Sequence, residues 1–300
     1  MHGLSKCNIC PRKCGVDRVS GVLGVCNVPE ELWVAKTMLH KWEEPCISGD
    51  QGAGTVFFSG CNLHCVYCQN RDISGGACGR SMTSDELEAA IFELVSQGAE
   101  CIEFVTPTHY TVILARVLER IKPRLTVPVV WNSGGYESVG TLQMLDGLVD
   151  VYMPDLKYFD PAVAAAYSSA PDYFERAIEA IGEMIRQVGK PRFDDGGKMR
   201  GGVLVRQLVL PGHRADSIEV LRQLAEKYGA DSVRLSLMSQ YTPDFYIESG
   251  CPGGLKNLSR RVTSFEYDSV MKIAIELGFE GYFQQISSAD KKYTPDFKQK

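Results

Sequence analysis

From about residue 51 onward, hydrophobic positions along this chain fall into two alternating patterns. Short apolar runs of strand length occur at 55–58, 101–105, 127–131, 148–153, 203–210 and 232–238. Between them, apolar residues recur every three or four positions, as they do on one face of a helix. Strands that alternate with helices predict a parallel sheet with right-handed crossovers, and therefore an α/β fold of six βα units. The pattern fits both a doubly wound sheet and a barrel.

Two helix starts are marked by capping boxes, in which a Thr and a Glu three residues later satisfy each other's backbone amides. They are Thr83 with Glu86 and Thr263 with Glu266. Further helices are predicted at about 109–121, at 161–188 with an interruption at Pro171, and at about 214–228. In parallel α/β sheets functional residues collect at the carboxyl ends of the strands, so candidate site residues are expected there.

Composition and charge narrow the class of protein. The 300 residues are 44% hydrophobic and 23% charged, which is enough to build a sizeable core. A net charge of −5 and an isoelectric point near 5.6 argue against nucleic acid or an anionic membrane as the main partner. No apolar segment approaches the ~20 residues of a membrane helix, and the first residues hold no apolar signal core. We therefore expect a cytoplasmic protein whose eleven cysteines serve mainly as metal ligands, with the need for anaerobic handling that this brings.

Three cysteines, Cys61, Cys65 and Cys68, follow the first predicted strand at the spacing C-x3-C-x2-C. An iron–sulfur cluster normally takes four thiolates, so three cysteines leave one iron open to a further ligand. Structural zinc sites take four closed ligands, which makes zinc or plain packing the less favoured interpretation. The loop predicts a 4Fe–4S cluster with one open iron.

A second cysteine group, Cys7, Cys10, Cys14 and Cys26, lies in a glycine-rich segment before the predicted sheet. Four thiols so close in sequence can close a metal site without a hydrophobic core of their own. Only one C-x2-C knuckle is present, where a zinc ribbon would have two, and the order is not that of a ferredoxin loop. Zinc and an auxiliary 4Fe–4S cluster both fit, and four unligated cysteines remain the alternative.

Charged and polar side chains follow the later strands. Asp155 and Lys157 flank one apolar residue in an extended segment, so both leave the same face, either as a surface ion pair or as part of a site. Arg206 interrupts an apolar strand, where a guanidinium needs an anion, either a ligand carboxylate or a structural Asp. Asn132 precedes a glycine-rich turn that allows close backbone approach. His109 suits a solvent-facing helix start and a site residue equally.

Less specific signals come from other chemistry-bearing residues. Met238, Gln240 and Tyr241 stand at the end of the sixth strand, where they would face a ligand or substrate, although Met is more often a core residue. His40 and Cys46 favour a packed loop over a metal site, because a lone pair six residues apart has no further ligands. The remaining cysteines are interpreted as packed or loop residues without a second thiol at ligand spacing: Cys78, Cys101 and Cys251.

The loop at 60–70, with an aromatic Tyr67 before its third cysteine, closely resembles that of the radical S-adenosylmethionine (SAM) enzymes. Across nearly the whole chain, the motifs are similar to those of the branch related to the pyruvate formate-lyase activating enzyme. The matching segments are Cys7-x2-Cys10-Pro11-Arg12-x-Cys14, Glu43-Glu44-Pro45-x-Ile47-Ser48-Gly49, 105–109, Asn132-x-x-Gly135-Tyr136-Glu137, 154–158 and 208–212. The resemblance implies a partial TIM barrel of six βα units over 51–300, preceded by a Cys-rich metal-binding extension and connector over 1–50.

By this resemblance, the cysteines of the loop hold a 4Fe–4S cluster whose open iron chelates the amino and carboxylate groups of SAM. One electron, from a ferredoxin or flavodoxin, then breaks the sulfonium bond and yields a 5′-deoxyadenosyl radical. The resemblance implies further SAM contacts: Tyr67 in the cluster loop, Lys157 and Arg206 at the carboxylate, Asp155 at a ribose hydroxyl and Asn132 in the ribose-binding turn. The chain departs from the family at 106–109, where many members carry Gly-Gly-Glu for the amino group. We expect backbone carbonyls or Thr hydroxyls to make that contact here.

Three functions are compatible with these features. The first is a radical SAM enzyme that abstracts a hydrogen atom from a protein glycine, as an activase of a glycyl radical enzyme does. The second is radical modification of another protein, a peptide or a small molecule, with the N-terminal metal site as an electron relay or substrate anchor. The third is a metal-binding regulator that keeps the fold without the chemistry, which the intact cysteine loop beside Asp155 and Lys157 argues against.

Overall fold

The computed structural model describes residues 4–76, 78–285, 295 and 297. Within these residues one ten-stranded sheet organises the chain. Its strands are β1 (Leu32–His40), β2 (Ala53–Phe58), β3 (Arg80–Met82), β4 (Ile102–Val105), β5 (Val129–Ser133), β6 (Val151–Pro154), β7 (Arg192–Phe193), β8 (Met199–Leu208), β9 (Arg234–Met238) and β10 (Gly281–Phe283). The strand order is β10-β9-β8-β6-β5-β4-β2-β1-β3, with β7 paired to β8.

Helices connect the parallel strands. They are α1 (Pro45–Ser48), α2 (Arg71–Ser74), α3 (Ser84–Ser96), α4 (Thr111–Ile121), α5 (Val139–Leu142), α6 (Pro161–Ser168), α7 (Tyr173–Val188), α8 (Arg214–Tyr228), α9 (Asp244–Glu248) and α10 (Ser264–Glu276). Neighbouring strands from β2 through β4, β5, β6, β8 and β9 pair in parallel, as strand–helix–strand crossovers require. No helix in the described parts of the chain is long and apolar enough to span a membrane.

The sheet curls into a partial barrel, which confirms the predicted fold class. Glu44, which follows β1 near one edge of the sheet, accepts a 2.6 Å hydrogen bond from Ser236 Oγ on β9 near the other edge. Six strand spacings separate β1 from β9, roughly 29 Å in a flat sheet at the usual interstrand distance. The contact is made only because the sheet bends round and brings the two edges together.

The amino-terminal end of the barrel is closed by α1. Cys46 and Ile47 of this helix are buried against Val130, Met153 and Leu204, which point inward from β5, β6 and β8. The packed-loop interpretation of Cys46 is therefore correct, and its thiol fills the barrel interior. Because this end is filled, the cavity of the barrel opens at the opposite end, where the strands terminate.

Local sequence signals and local structure agree closely at the helix starts. Both capping boxes are present, with Thr83 and Thr263 each accepting from the backbone amide of the Glu three residues later. The long helical stretch around Pro171 divides as predicted, because α6 ends at a left-handed Ser169 with φ of 51° and α7 begins at Tyr173.

Two parts of the sheet differ from the prediction. β1 begins at Leu32, where the sequence of the connector has some strand character over 32–35, but it runs on to His40 and pairs antiparallel with both β2 and β3, so the sheet extends beyond the parallel strands. β10 adds a short strand parallel to β9 beyond the six predicted units. Neither addition follows from βα alternation, because an edge strand is selected by its partner in space rather than by its own pattern.

Candidate active site

A pocket opens at the carboxyl ends of the parallel strands. Its wall includes every residue that the sequence predicts for the cluster and for SAM: Cys61, Tyr67, Cys65, Cys68, Asn132, Asp155, Lys157 and Arg206. These residues come from the loop after β2 and from β5, β6 and β8 or the turns that follow them. The fold therefore gathers side chains that are up to 145 positions apart in sequence into one cavity.

The three-cysteine loop lies between β2 and α2. It leaves the strand through Gly60, whose φ is +83° and where an added Cβ would lie 2.5 Å from the carbonyl oxygen of Cys26. Only glycine permits this close approach, so the loop is packed directly against the N-terminal segment. Leu63 N donates to Cys61 Sγ at 3.4 Å, which holds the first thiol on the pocket side of the loop.

The three thiols lie close enough to interact electrostatically. Burial, followed by the neighbouring Cys65 and Cys61, raises the pKa of Cys68 to about 12, and burial and Cys65 also raise the pKa of Cys61. Ionising Cys61 and Cys68 is therefore favoured by a positive centre beside them, as an iron–sulfur cluster supplies. In the described residues no three His, Cys, Asp or Glu side chains are placed to share one metal ion. The thiolates of a cluster each bind a different iron, which is a wider arrangement.

Asp155 is the centre of a largely buried ion-pair network on the pocket wall. Arg206 Nε donates to its Oδ1 at 3.0 Å, and Lys157 Nζ donates to its Oδ2 at 2.5 Å. Burial opposes ionisation of Asp155, but Arg206 and Lys157 outweigh it and hold its pKa below the ordinary value. Arg206 thus pairs with a structural Asp, which is one of the two partners expected from the sequence. Both Arg206 and Lys157 also line the pocket.

Asn132 links this network to the interior of the barrel. Arg206 Nη2 donates to Asn132 Oδ1 at 2.7 Å, and Asn132 Nδ2 donates to Glu103 Oε1 at 2.7 Å. Thr55 Oγ1 donates to the other oxygen of Glu103 at 2.8 Å. The turn after Asn132 packs closely over the next strand end, since a Cβ at Gly135 would collide with the carbonyl oxygen of Asp155. Asn132 is thereby fixed from both sides.

Two carboxyls close to Arg206 and Asn132 were not predicted as site residues. Glu43 lines the pocket, and its Oε2 lies 3.6 Å from Arg206 Nη1; Glu103 is fully buried beneath Asn132. Burial raises the pKa of both, and the proximity of Glu43 helps to bring that of Glu103 to about 8. The signal for Glu103 was present, because it interrupts the apolar strand β4 just as Arg206 interrupts β8. Glu43 lies in the loop after β1, where it was noted only as part of a segment that matches the family and not as a site residue.

Carboxyls outnumber cations in this part of the barrel. Four carboxyls, Glu43, Glu44, Glu103 and Asp155, face two cations, Lys157 and Arg206. Burial raises the pKa of Glu43, Glu44 and Glu103, and an ammonium or sulfonium entering the pocket would favour the ionised form of Glu43 at the pocket wall. Thr106, where the resemblance expects Gly-Gly-Glu, also lines the pocket with a left-handed φ of 57°. This group of carboxyls fits a ligand with a cationic part.

The outer wall of the pocket is mixed in character. Met238 at the end of β9, with Gln240 and Tyr241 just after it, lies on this wall together with Phe245, in the position expected for contact with a ligand or substrate. His40 also lines the pocket, and burial lowers its pKa. The other cysteines with packed interpretations are buried or half-buried: Cys78, Cys101 and Cys251.

His109 faces neither solvent nor the pocket, so neither interpretation made from the sequence is correct. Its side chain is buried, and its Nε2 donates to the Ser59 carbonyl at 2.8 Å, just before the cysteine loop. Burial lowers the pKa of His109 to about 3, which keeps the ring neutral. His109 therefore supports the loop from beneath.

The N-terminal cysteines are brought together by their segment. Cys7, Cys10 and Cys26 are buried and Cys14 is half-buried, and Cys7 and Cys26 both influence the pKa of Cys10, which burial raises to about 11. None of the eleven cysteines, all of which lie in the described residues, forms a disulfide. A metal at these four cysteines stays a prediction.

Comparison with known proteins places the chain in a family. The profile described as the Radical SAM superfamily matches residues 55–225, and the chain belongs to this superfamily. An uncharacterized protein of Methanocaldococcus jannaschii is 26% identical over 276 residues, which cover 89% of this chain and 74% of that protein.

Solved structures share the fold. A variant of spore photoproduct lyase matches with a TM-score of 0.52 and 14% identity, over 81% of this chain and 80% of that one. SuiB of Streptococcus suis, solved bound to precursor peptide SuiA, matches with a TM-score of 0.50 and 14% identity over 75% of this chain. The match covers 46% of the length of SuiB. At such identities these similarities describe the architecture alone.

Proposed function

We propose that this chain cleaves SAM reductively and uses the resulting radical to abstract a hydrogen atom, with Cys61, Cys65 and Cys68 as the cluster ligands. The observation that carries the proposal is that the three cysteines share one pocket with the Asp155 network. When bound, the 4Fe–4S cluster and SAM supply a 5′-deoxyadenosyl radical after one-electron reduction by a ferredoxin or flavodoxin.

The protein's own residues bind and orient SAM. Lys157 and Arg206 present N–H donors to a carboxylate, and the excess of buried carboxyls, with Glu43 at the pocket surface, accepts an ammonium. Asp155 holds the two cations in place through both of its oxygens. The residues fit the cofactor because Lys157 and Arg206 can donate to its carboxylate while Glu43, on the same pocket wall, can accept from its ammonium.

Equilibrium binding of SAM to the reconstituted protein tests these roles. Lys157→Met should weaken SAM binding roughly 10- to 100-fold, the worth of one charged hydrogen bond. Lys190→Met is the matched control, because Lys190 pairs with Asp231 on the exposed surface and should leave the affinity unchanged. Equal SAM affinity in the Lys157 variant and the native chain would remove Lys157 from the site.

The substrate proposal rests on the family resemblance. We propose a polypeptide substrate, with a protein glycine as the first target, which enters past Tyr241 and Phe245 at the outer wall. The test is an electron paramagnetic resonance (EPR) doublet of a glycyl radical on a co-encoded partner after incubation with SAM and reductant. If SAM is cleaved but no glycyl radical doublet appears on the partner, a protein glycine is not the target, and peptides and small molecules become the candidate substrates.

A further inference from the structure

A chain of three hydrogen bonds runs from Tyr67 to the sulfur of Cys65. Tyr67 Oη lies 2.5 Å from Tyr158 Oη, Tyr158 Oη lies 2.8 Å from Ser168 Oγ, and Ser168 Oγ lies 2.9 Å from Cys65 Sγ. Tyr158 and Ser168 are essentially inaccessible to solvent, with 0% and 1% of their surface exposed. Water therefore does not compete for these hydroxyls.

The hydrogen bonds from Tyr67 to Cys65 have one donor-to-acceptor direction when Cys65 is a thiolate. A ligating thiolate only accepts, so the single proton of the Ser168 hydroxyl is directed to Cys65 Sγ. Ser168 must then accept from Tyr158, and Tyr158 must accept from Tyr67. Each tyrosine carries a single phenolic proton that it can donate along this path. All three dipoles point toward the sulfur and reinforce one another.

The backbone around Ser168 is fixed against the cysteine loop. Arg12 Nη2 donates to the Ser168 carbonyl at 2.9 Å, and Arg12 Nη1 donates to the carbonyl of Ser169. Val66 N, in the cysteine loop, donates to the Tyr167 carbonyl at 3.0 Å. Arg12 Nε also donates to the Asn62 carbonyl, in the cysteine loop, at 2.7 Å. The end of α6 is therefore locked to the loop, and the Ser168 hydroxyl is held in position.

We propose that Ser168 is a positioning residue which donates to the sulfur of Cys65 and, supported by Tyr158, raises the reduction potential of the cluster. This inference rests on the proposed function, in which Cys65 binds iron. A proton donated to a ligand sulfur stabilises negative charge, and a reduced cluster carries one more negative charge than an oxidised one. The hydrogen bond therefore favours the reduced state that SAM cleavage requires.

Redox titration followed by EPR of the reconstituted cluster tests the inference. Ser168→Ala should shift the midpoint potential to a more negative value, and Tyr158→Phe should shift it in the same direction by less, because Ser168 keeps its own hydroxyl. Ser168→Thr, which keeps a hydroxyl, should restore the native potential. Ser217→Ala is the matched control, because this buried serine on α8 contacts Gln207 instead of the cysteine loop.

The possible outcomes distinguish failure of the role proposed for Ser168 from failure of the proposed function. A native potential in both Ser168→Ala and Tyr158→Phe, at full iron content, overturns the role of Ser168 and leaves the cluster assignment intact. If Ser168→Ala fails to hold iron, the midpoint potential of Tyr158→Phe is the test: a more negative potential supports the role of Ser168, and a native potential overturns it. A native chain that binds no cluster after reconstitution overturns the proposed function and the inference with it.

Discussion

Arg12 Nε donates a 2.7 Å hydrogen bond to the carbonyl oxygen of Asn62, 50 positions further along the chain. This contact joins the N-terminal cysteine segment to the loop that carries Cys61. The same guanidinium stacks over the ring of Tyr136 at 5.2 Å, and the Tyr136 carbonyl accepts from the Asn62 amide at 2.8 Å. The N-terminal segment is thus part of the frame that holds the cysteine loop in place.

Removal of the Arg12 side chain should loosen that frame. Arg12→Ala deletes bonds to the carbonyls of the cysteine loop and of the α6 end, so amide hydrogen exchange should accelerate at 61–68 and 166–169. The free energy of unfolding should fall by about 1–3 kcal/mol, since buried carbonyls lose their donor.

Arg192→Ala provides the comparison for Arg12. Arg192 is exposed and its guanidinium bonds one carbonyl, that of Val188, so its loss should change stability by less than about 0.5 kcal/mol. Native exchange rates at 61–68 in Arg12→Ala would show that the loop holds its shape without the N-terminal segment.

Loss of the Asp155 carboxylate should be costly for folding. Asp155→Ala leaves the largely buried Lys157 and Arg206 cations without their main partner, and the free energy of unfolding should fall by about 3–5 kcal/mol. Urea unfolding of the metal-free chain measures this. Asp231→Ala, which breaks an exposed pair with Lys190, should cost less than about 1 kcal/mol. Equal costs for the two variants would mean that the Asp155 network does not stabilise the fold.

Glu103 should make stability depend on pH. Because the folded pKa of Glu103 is raised to about 8, the folded chain keeps a proton that the unfolded chain has lost above about pH 4.5. The contribution of Glu103 to the free energy of unfolding therefore falls as pH rises from about 4.5 to 8. His109, with its pKa lowered to about 3, acts in the opposite sense below about pH 6.5, so the effect of Glu103 is clearest between pH 6.5 and 8.

Glu103→Gln should flatten that dependence. In the native chain the free energy of unfolding should fall by up to about 1.4 kcal/mol per pH unit between pH 6.5 and 8, and the variant should show a smaller slope. Glutamine can still accept from Asn132 and donate to Thr55, so the fold should be retained. Glu276→Gln, at the exposed end of α10, should keep the native slope. If the free energy of unfolding has the same pH dependence in the native chain, Glu103→Gln and Glu276→Gln, then Glu103 is not the group that keeps the proton in the folded state.

The N-terminal cysteines should bind their own metal. Replacing Cys10 and Cys14 together with Ala should lower the zinc or iron content by one site, whereas Cys101→Ala should leave it unchanged because Cys101 is buried at the start of a strand. Metal analysis after anaerobic purification distinguishes the two metals. Unchanged metal content in the double variant would make these four cysteines packing residues.

Much of the fold was predictable because its signals are local. The two capping boxes require only a Thr and a Glu three residues apart, and the Asp155–Lys157 pair requires only the two-residue period of extended chain. The cysteine loop is equally local, with its three thiols inside eight residues. In each case the side chains that interact are neighbours in sequence, so their spacing alone predicts the geometry.

The rest of the site depends on contacts that no local pattern describes. Arg12 reaches the Ser168 carbonyl across 156 positions, and Ser236 reaches Glu44 across 192. Ser168, at the end of a short helix, has no sequence signal that sets it apart, because its role comes entirely from the thiol it meets. Such residues become visible only when the barrel has closed.

The most direct test of the account is the amount of 5′-deoxyadenosine formed from SAM by the reduced, reconstituted protein. The native chain and Cys101→Ala should both form it, while Cys65→Ala should form none, because that variant lacks a cluster ligand. Iron and sulfide content, measured on the same samples, should fall only in Cys65→Ala. Formation of 5′-deoxyadenosine by Cys65→Ala at the native rate, or its absence from a native chain with a full cluster, would contradict the assignment.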